Sequence, residues 1–445
     1  VLVLHTSARF DNIHPGLTCE HARQLLMKSI SEQESESDFY TAAAHLINCP
    51  CVETEKALIE FLQYRLSSCQ SVKITKRKIV EVLARLGCVD AIPAIGNCLW
   101  SDDVYLVENT VWSLQMLKCH DHAFIEKMID ILQADVANQR IIIQCLASLD
   151  ISSSIDIIRP FQFNPTPGIK GAAISAIAKL AHDYEKVPQI SLNLLLPNQM
   201  DRHCAIQDLI DANVIDQSAE IFAAPVSPVF KLRAIRKLYS NNLVDSVETC
   251  LLSSLDSLLS CDLSSINCVH RYDQPPSCES LIRDLYNTDF SRCYLALNHL
   301  SSCSASEIFL LLKNSWIDEA HNDYGAHYCF ICLFGSISDW PRESMPWIIE
   351  VLVSSVFNVR PQFQKSRSAS VLSLAKLNPG MLCELMEEIL SARDSLPWDM
   401  RYSLIQAIDN YSELDTAYKS KMILEISDDD KDLFVQARAR MALAL

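Results

Sequence analysis

Between Ile266 and Cys278 the chain reads Ile-Asn-Cys-Val-His-Arg-Tyr-Asp-Gln-Pro-Pro-Ser-Cys, and His270, Arg271, Tyr272, Asp273 and Gln274 are its densest run of chemically capable side chains. A neutral imidazole and a carboxylate accept protons, a phenol donates one and a guanidinium clamps an anion, so the run offers acid–base chemistry beside an anion-binding group. Pro275 and Pro276 stop any helix at or before Gln274 and hold that residue extended, which predicts that His270 to Asp273 cluster at a helix end. The competing reading is a plain linker with a polar surface turn.

Thiols are the second possible source of chemistry. The 18 Cys scatter through apolar helical positions such as Cys98, Cys145 and Cys204, which reads as buried reduced thiols rather than a disulfide framework. Cys329-Phe330-Ile331-Cys332, with His321 and His327 nearby, has the form of a redox or metal pair. Cysteines at i and i+3 of a strongly apolar helix pack instead, and no second pair at zinc spacing completes a site, so no metal is expected.

Basic residues recur as Lys76-Arg77, Arg140, Lys170, Arg202 and Lys231. Each is expected to pair with a turn carboxylate of the preceding unit (Asp102, Asp135, Asp201), or else the row binds carboxylates of a ligand.

The elements that must position these groups follow from two apolar columns. The first is Val80, Val111, Ile143, Ile174, Ile206 and Ile235, and three residues further on runs Leu83, Leu114, Leu146, Ile177, Leu209 and Leu238; both are spaced 31, 32, 31, 32 and 29 residues. Apolar residues at i and i+3 mark one face of a helix. A unit of this length holds two short helices, cannot bury its face alone and must stack on its neighbours. In the clearest unit, Lys76 to Leu117, a helix stops at Gly87, a second runs from Val89 to Leu99, and the acidic turn Asp102-Asp103 precedes a third through Val111 and Leu114. The 34-residue tetratricopeptide signature is absent, so HEAT-type pairs are expected.

The expected fold class is therefore all-α, an α/α solenoid of HEAT-like repeats, curved, with a concave groove. Its organisation reads as a helical cap over 1–70, regular repeats over 71–240, an irregular break carrying the site over 241–300 and further repeats over 301–445, in one continuous solenoid. The 59 residues from Leu238 to Leu297 hold the break and leave room for one more inner helix.

With 8 Gly in 445 residues and no Gly-bounded alternating runs, sheet is not expected. A net charge of −17 without a dense basic tract argues against nucleic acid as main partner. No apolar stretch reaches 18 residues, the longest lying near Tyr328 to Gly335, so no membrane span is expected. The opening Val1-Leu2-Val3-Leu4 lacks both Met and a basic segment, which reads as a trimmed start rather than a signal peptide. The expectation is a soluble, cytoplasmic protein.

HEAT-like units of about 31 residues, seen in Leu83-Ala84-Arg85-Leu86-Gly87 and Asp102-Asp103-Val104, combined with the His-Arg-Tyr-Asp-Gln-Pro-Pro break, resemble the E/F-type phycobilin lyases of cyanobacteria. The resemblance runs from Lys76 to Leu445 and is nearest to the long single-chain lyase-isomerases that serve phycoerythrin. It implies that the chain attaches phycoerythrobilin to a cysteine of a phycoerythrin subunit, the α subunit, through a thioether, and isomerises it to phycourobilin. The bilin is then the substrate and no cofactor is required.

Within that resemblance, Asp273 accepts hydrogen bonds from the pyrrole N–H groups, Tyr272 donates or relays a proton, His270 is the alternative base, and Arg271 clamps a propionate. Gln274, Arg202, Trp316 and Tyr324 complete the expected substrate contacts, and Asp318 to Tyr324 forms the far wall. Trp112 and Tyr328 are further aromatics suited to flank the bilin, each also readable as core. Two alternatives stand beside this: a phycoerythrobilin lyase without isomerase activity, and a non-catalytic HEAT scaffold or chaperone.

Overall fold

A computed structural model describes residues 16–65, 69–134, 137–241 and 247–443; Val1 to Leu4 and Asp135 of the expectations above lie outside them. The described residues are helical throughout, with no strand among them. The chain divides into two compact units, Val1–Val187 and Pro188–Leu445.

In the first unit α1 (Cys19–Met27), α2 (Asp38–His45) and α3 (Val52–Tyr64) pack together and onto α4 (Gln70–Leu86). From there α4 packs on α5 (Val104–Met116), α5 on α6 (Gln139–Ser148) and α6 on α7 (Pro167–Ala181). These four helices carry the columns of the first unit. In both units together all twelve column residues are 2 % exposed or less.

Two of these four helices start by the same local chemistry, and all four end on a left-handed residue. Asp103 and Asn138 accept backbone N–H groups at the starts of α5 and α6, satisfying donors the helix cannot. At the far ends the chain turns left-handed, at Gly87, Lys118, Asp150 and His182. Leu83, Leu114 and Leu146 of the second column each accept, through their carbonyls, the N–H five residues on, at Cys88, Cys119 and Ile151. The periodic leucine is thus core and helix stop at once.

The thiol expectation needs two corrections. Cys19 and Cys49 are joined in a disulfide, and of the sixteen cysteines that form none six are buried, eight, Cys98 and Cys204 among them, are half-buried, and Cys250 and Cys268 are exposed. The bond forms because α1 and the 3-10 turn Leu46–Asn48 that follows α2 lie side by side, a proximity that 30 residues of sequence do not advertise. Cys329 and Cys332 are buried in an apolar helix, as the packing reading has it.

The second unit holds α8 (Gln199–Asp211), α9 (Pro228–Asn241), α10 (Thr249–Leu259), α11 (Phe290–Leu300), α12 (Tyr324–Ser336), α13 (Gln364–Leu377), α14 (Trp398–Asn410) and α15 (Leu433–Leu443). Helices α11 to α15 pack in sequence order, starting 34 to 40 residues apart rather than 31. In a plain solenoid a repeat touches only its neighbours. Here α10 also lies against α13, α14 and α15. Tyr402 donates to the Leu252 carbonyl at 3.1 Å, and buried Arg438 bridges Asp256 and Asp409 at 3.1 and 2.9 Å. The break in the repeats is therefore the helix on which this unit closes.

Among the described residues no helix is long and apolar enough to cross a membrane.

Candidate functional site

The run His270 to Gln274 does not form a cluster at a helix end. It runs without helix between the 3-10 turn Leu263–Ser265 and the helix Cys278–Asp284. From His270 to Asp273 burial alternates, as successive side chains of a non-helical stretch do, and the chain then bends at Asp273 and Gln274. His270 and Tyr272 turn into the protein, while Arg271, Asp273 and Gln274 are exposed. His270 Nε2 meets Asp289 Oδ2 at 2.9 Å. Tyr272 Oη donates to Asp284 Oδ2 at 2.7 Å and its ring meets His299 edge-on at 5.3 Å. Burial first, then the bond to Asp284, pushes the Tyr272 phenol above its ordinary value.

Arg202 is fully buried and pairs with the same carboxylate through Asp289 Oδ1. Asp289 also caps α11 by accepting from Ser291 N at 2.9 Å. Burial raises its carboxyl, but donation from Arg202, His270 and Ser291 outweighs burial and holds it below the usual range. Arg202 thus serves the fold, and its partner is not the Asp201 turn.

Lys76, Arg77 and Lys231 also differ from the expected ladder. Arg77 takes Asp103, the cap of the following helix, at 2.8 and 2.9 Å, whereas Lys76, Arg140 and Lys231 donate to the carbonyls of Leu62, Gly168 and Phe222. Leu62 and Phe222 lie in the last turns of their helices, where carbonyls lack intrahelical donors, so Lys76 and Lys231 meet open acceptors there.

A cavity of about 660 Å³ lies elsewhere in the second unit, between α8 and α9 on one side and the starts of α11 to α14 on the other. Its walls are aromatic. His203 stacks on Phe230 at 4.2 Å, and Phe290, Tyr324 and Trp398 face the space. Burial holds the His203 imidazole below its ordinary value, with Arg202 adding to the effect.

Three cations line this cavity. Arg236 is tied to Asp432 and lies 4.6 Å from the Trp398 ring centre. Arg233 bonds only a neutral amide, Gln207 at 2.9 Å, and no described ion pair includes it or Lys365. Lys365 Nζ sits among the rings of Phe290, Tyr324 and Tyr328 at 4.9, 5.4 and 5.4 Å, and burial lowers its ammonium.

One carboxyl completes the lining. Asp399, 4 % exposed, accepts from Ser368 at 2.9 Å and Gln364 at 3.4 Å, and burial raises it despite those bonds. A cavity of this size suits a ligand of some tens of atoms. Aromatic walls favour a flat conjugated one, uncommitted cations favour one bearing carboxylates, and a lone buried carboxyl can accept N–H donors or hand over a proton.

Of the expected site residues, Tyr324 lines this cavity; His270, Arg271, Tyr272, Asp273 and Gln274 do not. Arg202 lies behind it. Trp316 opens a π-helical turn, Trp316–Ala320, and lines a smaller cavity of about 410 Å³ with His321, His327, Trp347 and Arg360. Trp112 lies under Arg85 at 5.7 Å and Tyr328 is core. The cavity groups His203, Arg233, Lys365, Trp398 and Asp399 escaped the sequence reading, because each sits on an ordinary amphipathic helix with no local irregularity to flag it.

No family model matches the chain. It is 74% identical over 418 residues, 94% of this chain and 100% of the relative, to the bilin biosynthesis protein CpeY of Synechococcus sp. (strain WH8020). It is 33% identical over 408 residues, 91% of this chain and 94% of the other, to the uncharacterized phycocyanin operon protein Y of Pseudanabaena tenuis (strain PCC 7409). Over 198 residues, 41% of this chain and 70% of the other, it is 25% identical to the phycocyanobilin lyase subunit alpha of Nostoc sp. (strain PCC 7120 / SAG 25.82 / UTEX 2576).

Proposed function

The chain belongs to the E/F-type, HEAT-repeat family of phycobilin lyases, and from that premise we propose that its 660 Å³ cavity holds an open-chain tetrapyrrole for transfer to a cysteine of a phycobiliprotein subunit. The bilin is phycoerythrobilin, the acceptor is a phycoerythrin α subunit, and the attached product is isomerised to phycourobilin. The work is done in the cytoplasm with no cofactor besides the bilin itself.

The observation that carries this reading is the single buried carboxyl, Asp399, facing a cavity with aromatic walls and uncommitted cations. Arg233 and Lys365 would take the two propionates, and Phe230, Phe290, Tyr324 and Trp398 the conjugated plane. Asp399 would accept from the pyrrole N–H groups. Ligation adds the acceptor thiol across the ring A ethylidene: a C–S bond forms at the ethylidene carbon and the thiol proton passes to the ring. Isomerisation of the attached bilin takes two allylic proton shifts: a proton leaves C3 as one arrives at C5, and one then leaves C2 as another arrives at C4, which moves the C4–C5 double bond to C2–C3 in ring A. His203, held neutral, is the acceptor this step needs, and Asp399, whose raised pKa lets it carry a proton, is the donor.

Co-expression of the α subunit with this chain and a phycoerythrobilin supply tests the reading. The absorption of the acid-urea-denatured subunit reports the attached bilin free of its pocket. A phycourobilin spectrum supports the full proposal, and a phycoerythrobilin spectrum reduces it to ligation alone. An uncoloured subunit beside a folded chain would leave only the scaffold.

A further inference from the structure

The Cys19–Cys49 pair has a third chemically matched neighbour that a disulfide does not use. One ligating atom each from Cys19, His45 and Cys49 lies within 4.8 Å of the others. His45 ends α2 and Cys49 follows four residues later, across the turn Leu46–Asn48, which brings imidazole and thiol to one side of the chain. Cys19 opens α1 on the facing segment, after its cap Thr18. We propose that, when the disulfide is reduced, Cys19, His45 and Cys49 bind one Zn²⁺ through two thiolates and one imidazole nitrogen, with the fourth position open.

Two soft thiolates and an imidazole are a zinc donor set, and two thiolates neutralise the ion's charge. Tetrahedral zinc holds its sulfur ligands about 3.8 Å apart. Reduction frees the two sulfurs to part to that spacing while the three ligating atoms stay within the 4.8 Å they now span. Cys51, the nearest further thiol in sequence, is turned to Thr54 and Arg23 at 3.3 and 3.4 Å, which leaves the fourth position to water or an external ligand. Cys49 is buried while Cys19 and His45 are half-buried, so the site is backed by core and open on one side.

Disulfide and zinc are alternative uses of the same sulfurs. A two-electron oxidant of the low-molecular-weight disulfide class would close the Cys19–Cys49 bond, become two thiols by taking two protons, and release the ion. Either state ties α1 to the end of α2, where the first unit's stack begins.

The test uses the full chain, reduced with a phosphine under argon, supplied with Zn²⁺, desalted and counted for zinc by mass spectrometry. Co²⁺ in its place is read by thiolate-to-metal charge-transfer absorption. One ion per chain is expected, released on adding oxidised glutathione. Cys19→Ser, Cys49→Ser and His45→Gln should each weaken binding at least about tenfold, since each deletes a ligand. The Cys329→Ser/Cys332→Ser double variant should bind as the parent does. His45→Gln keeps both sulfurs and still forms the disulfide, so it carries the test if a cysteine variant fails to fold. A reduced parent that retains no zinc overturns the proposal, as does equal binding in the parent, Cys19→Ser and His45→Gln.

Discussion

Arg202 and His270, far apart in the chain, grip opposite oxygens of one carboxylate, Oδ1 and Oδ2 of Asp289. The residue between them also caps α11, whose first member, Phe290, is cavity wall. The polar segment 270–274 therefore reaches the cavity through Asp289, and none of its residues lines it.

Asp289→Asn should cost about 3 kcal/mol, because it leaves the buried Arg202 guanidinium without its counter-charge. The carboxyl's folded pKa is lowered, so its contribution is complete above the unfolded value near pH 4 and is lost as pH falls through the folded value. Urea titrations at neutral pH should register the loss, and a midpoint equal to the parent's would refute the clasp.

In the ligation assay, Asp399→Asn should abolish isomerisation or reduce attachment at least about tenfold, in line with loss of an acid–base group. Tyr272→Phe and Asp273→Asn, which lie off the cavity, should leave product yield and spectrum unchanged. The reverse pattern would return the chemistry to the 270–274 segment.

His327 is 3 % exposed and its Nδ1 has no hydrogen-bond partner among the described residues, and burial, aided by Arg360, His321 and Lys365, lowers its pKa to about 3. The unfolded chain takes up a proton near pH 6.5 that the folded chain refuses, so stability falls as pH drops from 6.5 towards 3, by up to about 1.4 kcal/mol per unit. Comparing unfolding at pH 7 and pH 5, His327→Gln should remove about 2 kcal/mol of the parent's pH dependence. Identical pH profiles would show that this imidazole does not titrate on unfolding.

Gly335 lets α12 and α13 approach closely. A Cβ there would stand 2.1 Å from Ser373 Oγ and 2.8 Å from its Cα, a backbone atom that no rotamer can move. Gly335→Ala should therefore cost about 1–3 kcal/mol by overpacking, seen as a lower thermal midpoint. An unchanged midpoint would mean the two helices slide apart freely.

The helical repeat was legible in the sequence because it rests on local, periodic physics. The positions of Val80 and Leu83 recur every 29 to 32 residues on one helix face, and burying that face leaves stacking as the one outcome. The Cys19–Cys49 bond, the closure of α10 onto α14 and α15, and the meeting of His203, Arg233, Lys365 and Asp399 in one cavity were not legible. Each joins residues about 30 to 200 positions apart whose local sequence is that of any amphipathic helix. The Pro275-Pro276 break drew the eye to Tyr272 and Asp273, since proline acts on the backbone beside it. The non-helical path of the chain then left Asp273 exposed at a bend and turned Tyr272 to Asp284, while helix packing over long separations decided which side chains share a space.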